Sequence, residues 1–300
     1  MSLQGNVFKL ANGTTIPAVA YGAGTKWFKF GNPEISEPLI QSLKFAVNNG
    51  FTHVDGAMIY GTDREVGAAL STVDKSKIFH TNKYMGNFGT NKLPYENPLV
   101  SLRSQLKDLK MDQVDLYLLH HPFFTKENNG YELKDAWKFM EQIVDEGLAK
   151  SIGLSNFSVE DIKTVLESAR IKPVVNQIEF NAYLQNQTPG IVKFCQDNDI
   201  LVSAYCPLAP ILLEERGELN DYLDKLAEKN SKTPGQVLLR WVLQRGVLPV
   251  TTSSNEERIV QLNNLFDFEL TAEEVQQIND LGNKHTTLRK YWNEEYDQYN

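Results

Sequence analysis

The sequence predicts an α/β chain closing into a single (β/α)8 barrel over 1–300. Three observations carry this: eight short β-rich runs, helical spacing between them, and no composition break marking a domain boundary. The runs are AVAYG (18–22), FTHVD (51–55), IFHTNK (78–83), VDLYLLH (114–120), AKSIGLS (149–155), PVVNQIEF (173–180), ILVSAY (200–205) and GVLPVT (246–251). Val114 to Leu119 and Ile200 to Tyr205 are apolar almost throughout, as expected of parallel strands buried on both faces. Parallel neighbours need right-handed crossovers, and eight such units close naturally on themselves. A doubly wound open sheet is the alternative with the same periodicity.

Before the first run, VFKLANGTTIPA reads as a β-hairpin turning at the two residues Asn12-Gly13, placed to close the bottom of the barrel. Leu99, Leu102, Leu106 and Leu109 follow the third run at helical spacing. Leu133, Ala136, Trp137, Met140, Ile143 and Val144 follow the fourth, and both stripes should face the sheet. Thr188-Pro189 and Thr233-Pro234 mark helix starts, where a hydroxyl caps and proline is preset for the first turn. Gln236 and Glu274 complete capping boxes with Thr233 and Thr271. Extra helices and a tail, HTTLRKYWNEEYDQYN, end the chain; the tail is aromatic yet charged and should cover one end of the barrel.

With 41% hydrophobic and 23% charged residues among 300, the chain has material for a large core and is neither coiled coil nor disordered. Thirty Lys and Arg against 38 Asp and Glu leave a net charge of −8, which opposes nucleic-acid and anionic-membrane binding. Cys195 and Cys206 are expected as buried reduced thiols, too few for a disulfide framework and without metal-ligand spacing. The opening MSLQGNVFKLANG lacks an apolar signal core, and no stretch approaches the roughly 18 apolar residues of a spanning helix. A cytoplasmic location and no bound metal are the expectations.

In such a barrel the chemistry belongs at the C-terminal ends of the strands. Those ends carry Asp55 with Tyr60 five residues on, Lys83, His120-His121, Ser155-Asn156, Asn176-Gln177 with Glu179, and Tyr205. A carboxylate, an ammonium, a phenol and an imidazole form an acid–base set in which Lys83 should lower the phenol's pKa and Asp55 should keep Lys83 charged. Position alone equally allows a structural Asp55–Lys83 ion pair and a loop aromatic at Tyr60.

The stretch HVDGAMIYGTDREVGAAL (53–70) resembles the Asp-to-Tyr signature of the aldo-keto reductases. The likeness continues through Lys83 after IFHTN, DLYLLHHP (115–122), IGLSNF (152–157), NQIEF (176–180), AYCPLA (204–209) and TTSSNEERI (251–259). It implies NADPH-dependent reduction of a small-molecule carbonyl, with Tyr60 giving the proton, Lys83 and Asp55 tuning it, and His120 orienting the carbonyl. By the same likeness Gly24, Thr25, Asp55, Ser155, Asn156, Gln177, Tyr205, Cys206, Pro207 and Leu208 line the cofactor, with Tyr205 stacked on its nicotinamide. Ser253, Ser254 and Arg258 would hold the 2′-phosphate, although Thr252 stands where many NADP-dependent members carry a lysine.

A closer resemblance, in GAGTKW (22–27), HHPFFTKENNG (120–130) and RGVLPVTTSSNEERI (245–259), is to the branch that reduces α-keto amides and conjugated polyketones. It implies activated substrates: α-keto amides, α-keto esters, isatins and ketopantoyl lactone. Lys26, Trp27, His121 and Trp292 are expected around that substrate, and the family's habit is a monomer. Three alternatives share the sequence: a general aldehyde or aldose-type reductase, a lyase using Lys83 as a Schiff-base amine, and a non-catalytic NADPH-binding subunit.

Overall fold

The computed structural model describes residues 3–89 and 92–299. The chain opens with a three-stranded antiparallel sheet of β1 (Leu3–Gln4), β2 (Val7–Lys9) and β3 (Thr15–Pro17). Eight parallel strands follow: β4 (Ala20–Gly22), β5 (His53–Asp55), β6 (Phe79–Tyr84), β7 (Val114–Leu119), β8 (Ala149–Ser155), β9 (Val175–Glu179), β10 (Leu201–Tyr205) and β11 (Val247–Thr251). Each lies within one of the β-rich runs or overlaps it to within a residue. Val250 and Thr251 of β11 pair with Ala20 and Tyr21 of β4, so the sheet has no edge and the open-sheet alternative is excluded.

The helices are α1 (Glu37–Asn48), α2 (Asp63–Leu70), α3 (Pro98–Leu109), α4 (Lys126–Asn129), α5 (Leu133–Asp145), α6 (Val159–Leu166), α7 (Ile191–Asp197), α8 (Glu218–Asn230), α9 (Pro234–Gln244), α10 (Glu256–Asn263), α11 (Ala272–Lys284) and α12 (Asn293–Tyr296). Leu102, Leu106 and Leu109 of α3 and Leu133, Ala136, Trp137, Met140 and Ile143 of α5 are buried, whereas Leu99 and Val144 at the stripe margins are half-buried. Thr233 and Gln236 cap α9 reciprocally, and Thr271 and Glu274 do the same for α11. None of the helices among the described residues is long and apolar enough to cross a membrane.

Two local expectations are corrected. The hairpin turn uses the three residues 11–13, because Leu10 N donates to Thr14 O at 2.8 Å and Gly13 N to Leu10 O at 2.9 Å. Gly13 takes the left-handed φ of 86° that such a turn requires, while Asn12 Oδ1 accepts from the Thr14 amide and hydroxyl. Thr188 does not cap α7: Gly190, with φ of 70°, is its N-cap, and the buried Thr188 Oγ1 has no hydrogen-bond partner. Pro189-Gly190 turns the chain through a left-handed step before the helix begins, which carries the hydroxyl off the helix axis.

The small sheet sits at the N-terminal end of the barrel. Asn12 Nδ2 donates to Ser151 Oγ at 2.9 Å near the start of β8, and the His53 ring meets Pro17 O at 3.3 Å near the start of β5. The tail covers the opposite end. Lys290 N and Tyr291 N donate to the Glu179 carboxylate at the end of β9, and the Tyr296 hydroxyl donates to Asn156 O just past β8.

Candidate active site

At that covered end, Asp55 terminates β5 and Lys83 sits in β6, their Cα neighbours paired by the His53–Phe79 to Asp55–Thr81 register. Lys83 Nζ donates to Asp55 Oδ1 at 2.6 Å and to Gly56 O at 2.8 Å, and both side chains are buried. Gln177 of β9 donates through Nε2 to Asp55 Oδ2 at 2.9 Å, so both carboxylate oxygens are engaged. Burial works against the Lys83 charge, but Asp55 and Tyr60 outweigh it and raise its pKa. The lysine is therefore an ammonium held in place.

Tyr60 ends a single 3-10 turn, Met58–Tyr60, stopped by Gly61 in a left-handed conformation. The Lys83 ammonium lies 5.2 Å from the Tyr60 ring centroid. A Cβ at Gly24 would fall 2.5 Å from the Tyr60 ring, so only glycine there lets the phenol reach this position. The expected net fall in the phenol's pKa does not occur: burial raises it, and Lys83 offsets only part of that rise.

His120 follows β7 and stands edge-on to Tyr60, with ring centroids 6.0 Å apart at 84°. Its backbone N donates to Tyr84 O at 2.9 Å and its carbonyl accepts from Asn156 Nδ2 at 2.9 Å, which fixes the residue from both sides. Burial, with Lys83 and His121 adding to it, drives its pKa well below the usual histidine value. The ring is neutral, and its Nδ1 is buried with no partner.

Asn156, Tyr205 and Gln187 form a polar chain beside this cluster. Tyr205 Oη and Gln187 Nε2 both donate to Asn156 Oδ1, at 2.7 and 2.9 Å. Ser155 is buried and its hydroxyl donates to Gln177 O at 2.8 Å. Of the eight non-glycine left-handed residues among those described, Thr25, Phe30, Asn156, Cys206 and Trp292 line the mouth. Such conformations cost on the order of 1 kcal/mol each, and their gathering here marks a site whose geometry matters.

Two cavities open from the cluster. One, of about 420 Å³, is lined by Gly24, Thr25, Asp55, Tyr60, Gln177, Tyr205, Cys206, Pro207 and Leu208 and runs to Thr251 and Thr252 at the end of β11. The other, of about 900 Å³, holds Tyr60, His120, Asn156, Tyr291 and Trp292 with Phe28, Phe30, Met58 and Tyr95. Tyr60 lies on the wall between them. Beyond the smaller cavity, Ser253 is buried, Ser254 is exposed, and Arg258 is exposed and makes no ion pair among the described residues.

Some expected residues stand outside both cavities. His121 is fully buried, stacked on Phe123 and Phe124 and 5.8 Å from Trp292, so it supports the pocket wall from behind. Trp27 Nε1 donates to Thr252 Oγ1 at 3.0 Å and Lys26 Nζ lies 5.6 Å over the Trp27 ring, which places both beside the end of β11. Cys206 is half-buried where full burial was expected; burial pushes its thiol, like that of Cys195, up to about 12, and neither is a thiolate. Gln187, Tyr291, Phe28 and Phe30 escaped the sequence reading, since each lies in a loop whose position depends on contacts far away in the chain. Among the described residues no cluster of His, Cys, Asp and Glu could hold a metal.

The chain belongs to the Aldo/keto reductase family, whose profile matches residues 22–283. It is 48% identical, over its full length and 98% of the relative, to the NADPH-dependent alpha-keto amide reductase of Saccharomyces cerevisiae. It is also 36% identical, over 95% of the chain and 99% of the relative, to the NAD/NADP-dependent indole-3-acetaldehyde reductase of Schizosaccharomyces pombe. Among solved structures, a Bombyx mori aldo-keto reductase in complex with NADP matches 98% of each chain with a TM-score of 0.82 at 32% identity.

Proposed function

We propose that this protein is an NADPH-dependent carbonyl reductase acting on activated ketones, namely α-keto amides, α-keto esters, isatins, conjugated polyketones and ketopantoyl lactone, with Tyr60 as proton donor. The observation that carries the reading is the position of Tyr60 on the wall between two cavities, backed by the buried Lys83–Asp55–Gln177 chain. The 48% identity to a keto amide reductase supports the substrate class.

The smaller cavity suits a nicotinamide nucleotide. It has a flat aromatic wall in Tyr205, the Gln177 amide in its lining, and an exposed Arg258, without an ion pair among the described residues, beyond its far end for a 2′-phosphate. Gln177 would hold the carboxamide, with Asn156 meeting it from the larger cavity, Ser155 backing Gln177 from the core through its bond to the Gln177 carbonyl, and Tyr205 against the ring; Gly24, Thr25, Cys206, Pro207 and Leu208 would line its length, and Ser253 and Ser254 would add neutral donors near the phosphate. When bound, NADPH supplies the hydride that reaches the carbonyl carbon.

The protein's own groups do the rest. Tyr60 holds a proton at neutral pH and delivers it to the carbonyl oxygen as charge develops there. Lys83 beside it stabilises the phenolate left behind, and Asp55 keeps Lys83 charged. His120, neutral, has one N–H with which to orient the carbonyl oxygen and stabilise it. Phe28, Met58 and Trp292 give the larger cavity apolar walls, with His121 packed behind them, whereas Trp27 and Lys26 stand beside Thr252 at the end of β11.

Two features weigh against a Schiff-base lyase. Lys83 has no solvent exposure, and its raised pKa keeps the amine protonated and non-nucleophilic. The test of the whole reading is NADPH consumption by the purified protein with an α-keto amide, isatin, ketopantoyl lactone and a simple aldehyde, each repeated with NADH. Turnover of the dicarbonyls with NADPH is expected. Preference for the simple aldehyde overturns the substrate class, and tight NADPH binding without any turnover makes the protein a cofactor-binding subunit.

A further inference from the structure

Glu179 ends β9 with no solvent exposure, and the reduction chemistry gives it no part. Its two oxygens accept from the backbone amides of Lys290 at 2.8 Å and Tyr291 at 3.1 Å, more than a hundred residues further along the chain. Burial pushes its pKa up to about 7, against the pull of those two amides and of Arg289 and Lys290, so keeping a carboxylate here is unfavourable for the barrel taken alone. Its partners show what the carboxyl group holds.

Those partners belong to one short segment anchored on both sides. Before it, Arg289 Nη2 donates to Gln187 O at 3.0 Å; after it, the Tyr296 hydroxyl donates to Asn156 O. Between the anchors, Lys290 lines the smaller cavity, Tyr291 lines both, and Trp292, left-handed at φ 59°, lines the larger. The Tyr291 ring meets Tyr205 edge-on at 5.8 Å, on the side chain expected to pack against the nicotinamide. Two adjacent amides held by one carboxylate fix the peptide plane between Lys290 and Tyr291, and with it the direction in which Tyr291 and Trp292 project.

We propose that Glu179 is a positioning residue that holds 290–292 as a strap, forming one wall shared by the cofactor and carbonyl cavities. This rests on the reductase reading for the identity of the two ligands, but not for the strap itself.

The variant is Glu179→Gln, whose amide offers one acceptor and turns an NH₂ toward the second donor. Hydrogen exchange of the cofactor-free protein should show the Lys290 and Tyr291 amides exchanging at least about tenfold faster than in the parent. With an α-keto amide and saturating NADPH, KM should rise about tenfold and by much more than kcat falls, because the wall and not the proton donor is disturbed. Protected amides in the variant, or faster exchange with an unchanged KM, overturn the strap. Should Glu179→Gln fail to fold, Tyr291→Ala removes the shared wall and keeps the backbone bonds; it should raise KM with both amides still protected, and an unchanged KM overturns the proposal. Absence of carbonyl turnover in the parent sinks the reductase reading instead, while the exchange comparison still decides whether Glu179 holds the strap.

Discussion

Tyr60 is reachable from both cavities, and its hydroxyl is the one atom that separates phenol from phenylalanine at that place. Tyr60→Phe should therefore lower kcat by about 10²-fold or more while leaving the NADPH dissociation constant within about twofold of the parent. Steady-state kinetics together with fluorescence titration of the cofactor check both halves, and equal activity in the variant sinks the proton-donor assignment. Arg258 presents the other single-residue test. Its guanidinium has no ion-pair partner among the described residues, so Arg258→Ala should weaken NADPH by about tenfold to a hundredfold and NADH hardly at all. Equal weakening of both cofactors removes the 2′-phosphate role. At this scale the gathering of Asp55, Tyr60, Lys83 and His120 at one mouth was legible in their places at the strand ends, and the contact between Lys83 and Asp55 was anticipated. The direction of the Tyr60 shift was not, because desolvation sums over every atom packed around the ring, and no local pattern encodes that sum.

The elements were the most legible level. Continuous apolar runs mark strands buried on both faces and the 3.6-residue stripes mark helices, and both signals are local in the chain. The capping boxes at Thr233 and Thr271 were read correctly because the reciprocal bonds span only three residues. Thr188 misled because a glycine two places on redirects the backbone before α7 begins. The α5 stripe offers a stability test. Trp137 is fully buried against the barrel, with Nε1 donating to Ile171 O at 3.0 Å, so Trp137→Ala should cost about 3–5 kcal/mol in urea unfolding. A loss below about 1 kcal/mol means that the helix collapses into the cavity instead of leaving one.

Across the whole molecule, buried titratable groups set the response to acid. Burial lowers His53 to about 4, His80 to about 3 and His121 to about 4, and takes His120 well below its ordinary value. Each is neutral when folded and protonated when unfolded below about pH 6.5, so each withdraws stability as pH falls through that point toward its folded value. Asp63, raised by burial to about 6, and Glu179, at about 7, act the other way: folded carboxyls take up protons first, so their contribution grows as pH falls. The histidines outnumber these carboxyls. Unfolding stability should therefore drop by about 2 kcal/mol or more between about pH 6.5 and 4.5, read as a falling urea midpoint. His80→Leu, which sacrifices no hydrogen bond because neither ring nitrogen has a partner, should make the decline shallower. An unchanged slope assigns the acid response to other groups.

By itself the sequence determined the strand and helix alternation, the barrel as the favoured closure, the family, and the placing of Asp55, Tyr60, Lys83 and His120 at one end of the strands, since periodicity and motif spacing are properties of neighbouring residues. Only the tertiary structure decided that β11 returns to β4, that the tail lies across the mouth and not the base, and that Glu179 grips it. It also decided that Trp27 and Lys26 stand beside Thr252 instead of lining the larger cavity. These depend on contacts between residues far apart in the chain and on burial summed over all of them, and neither is written in any short stretch.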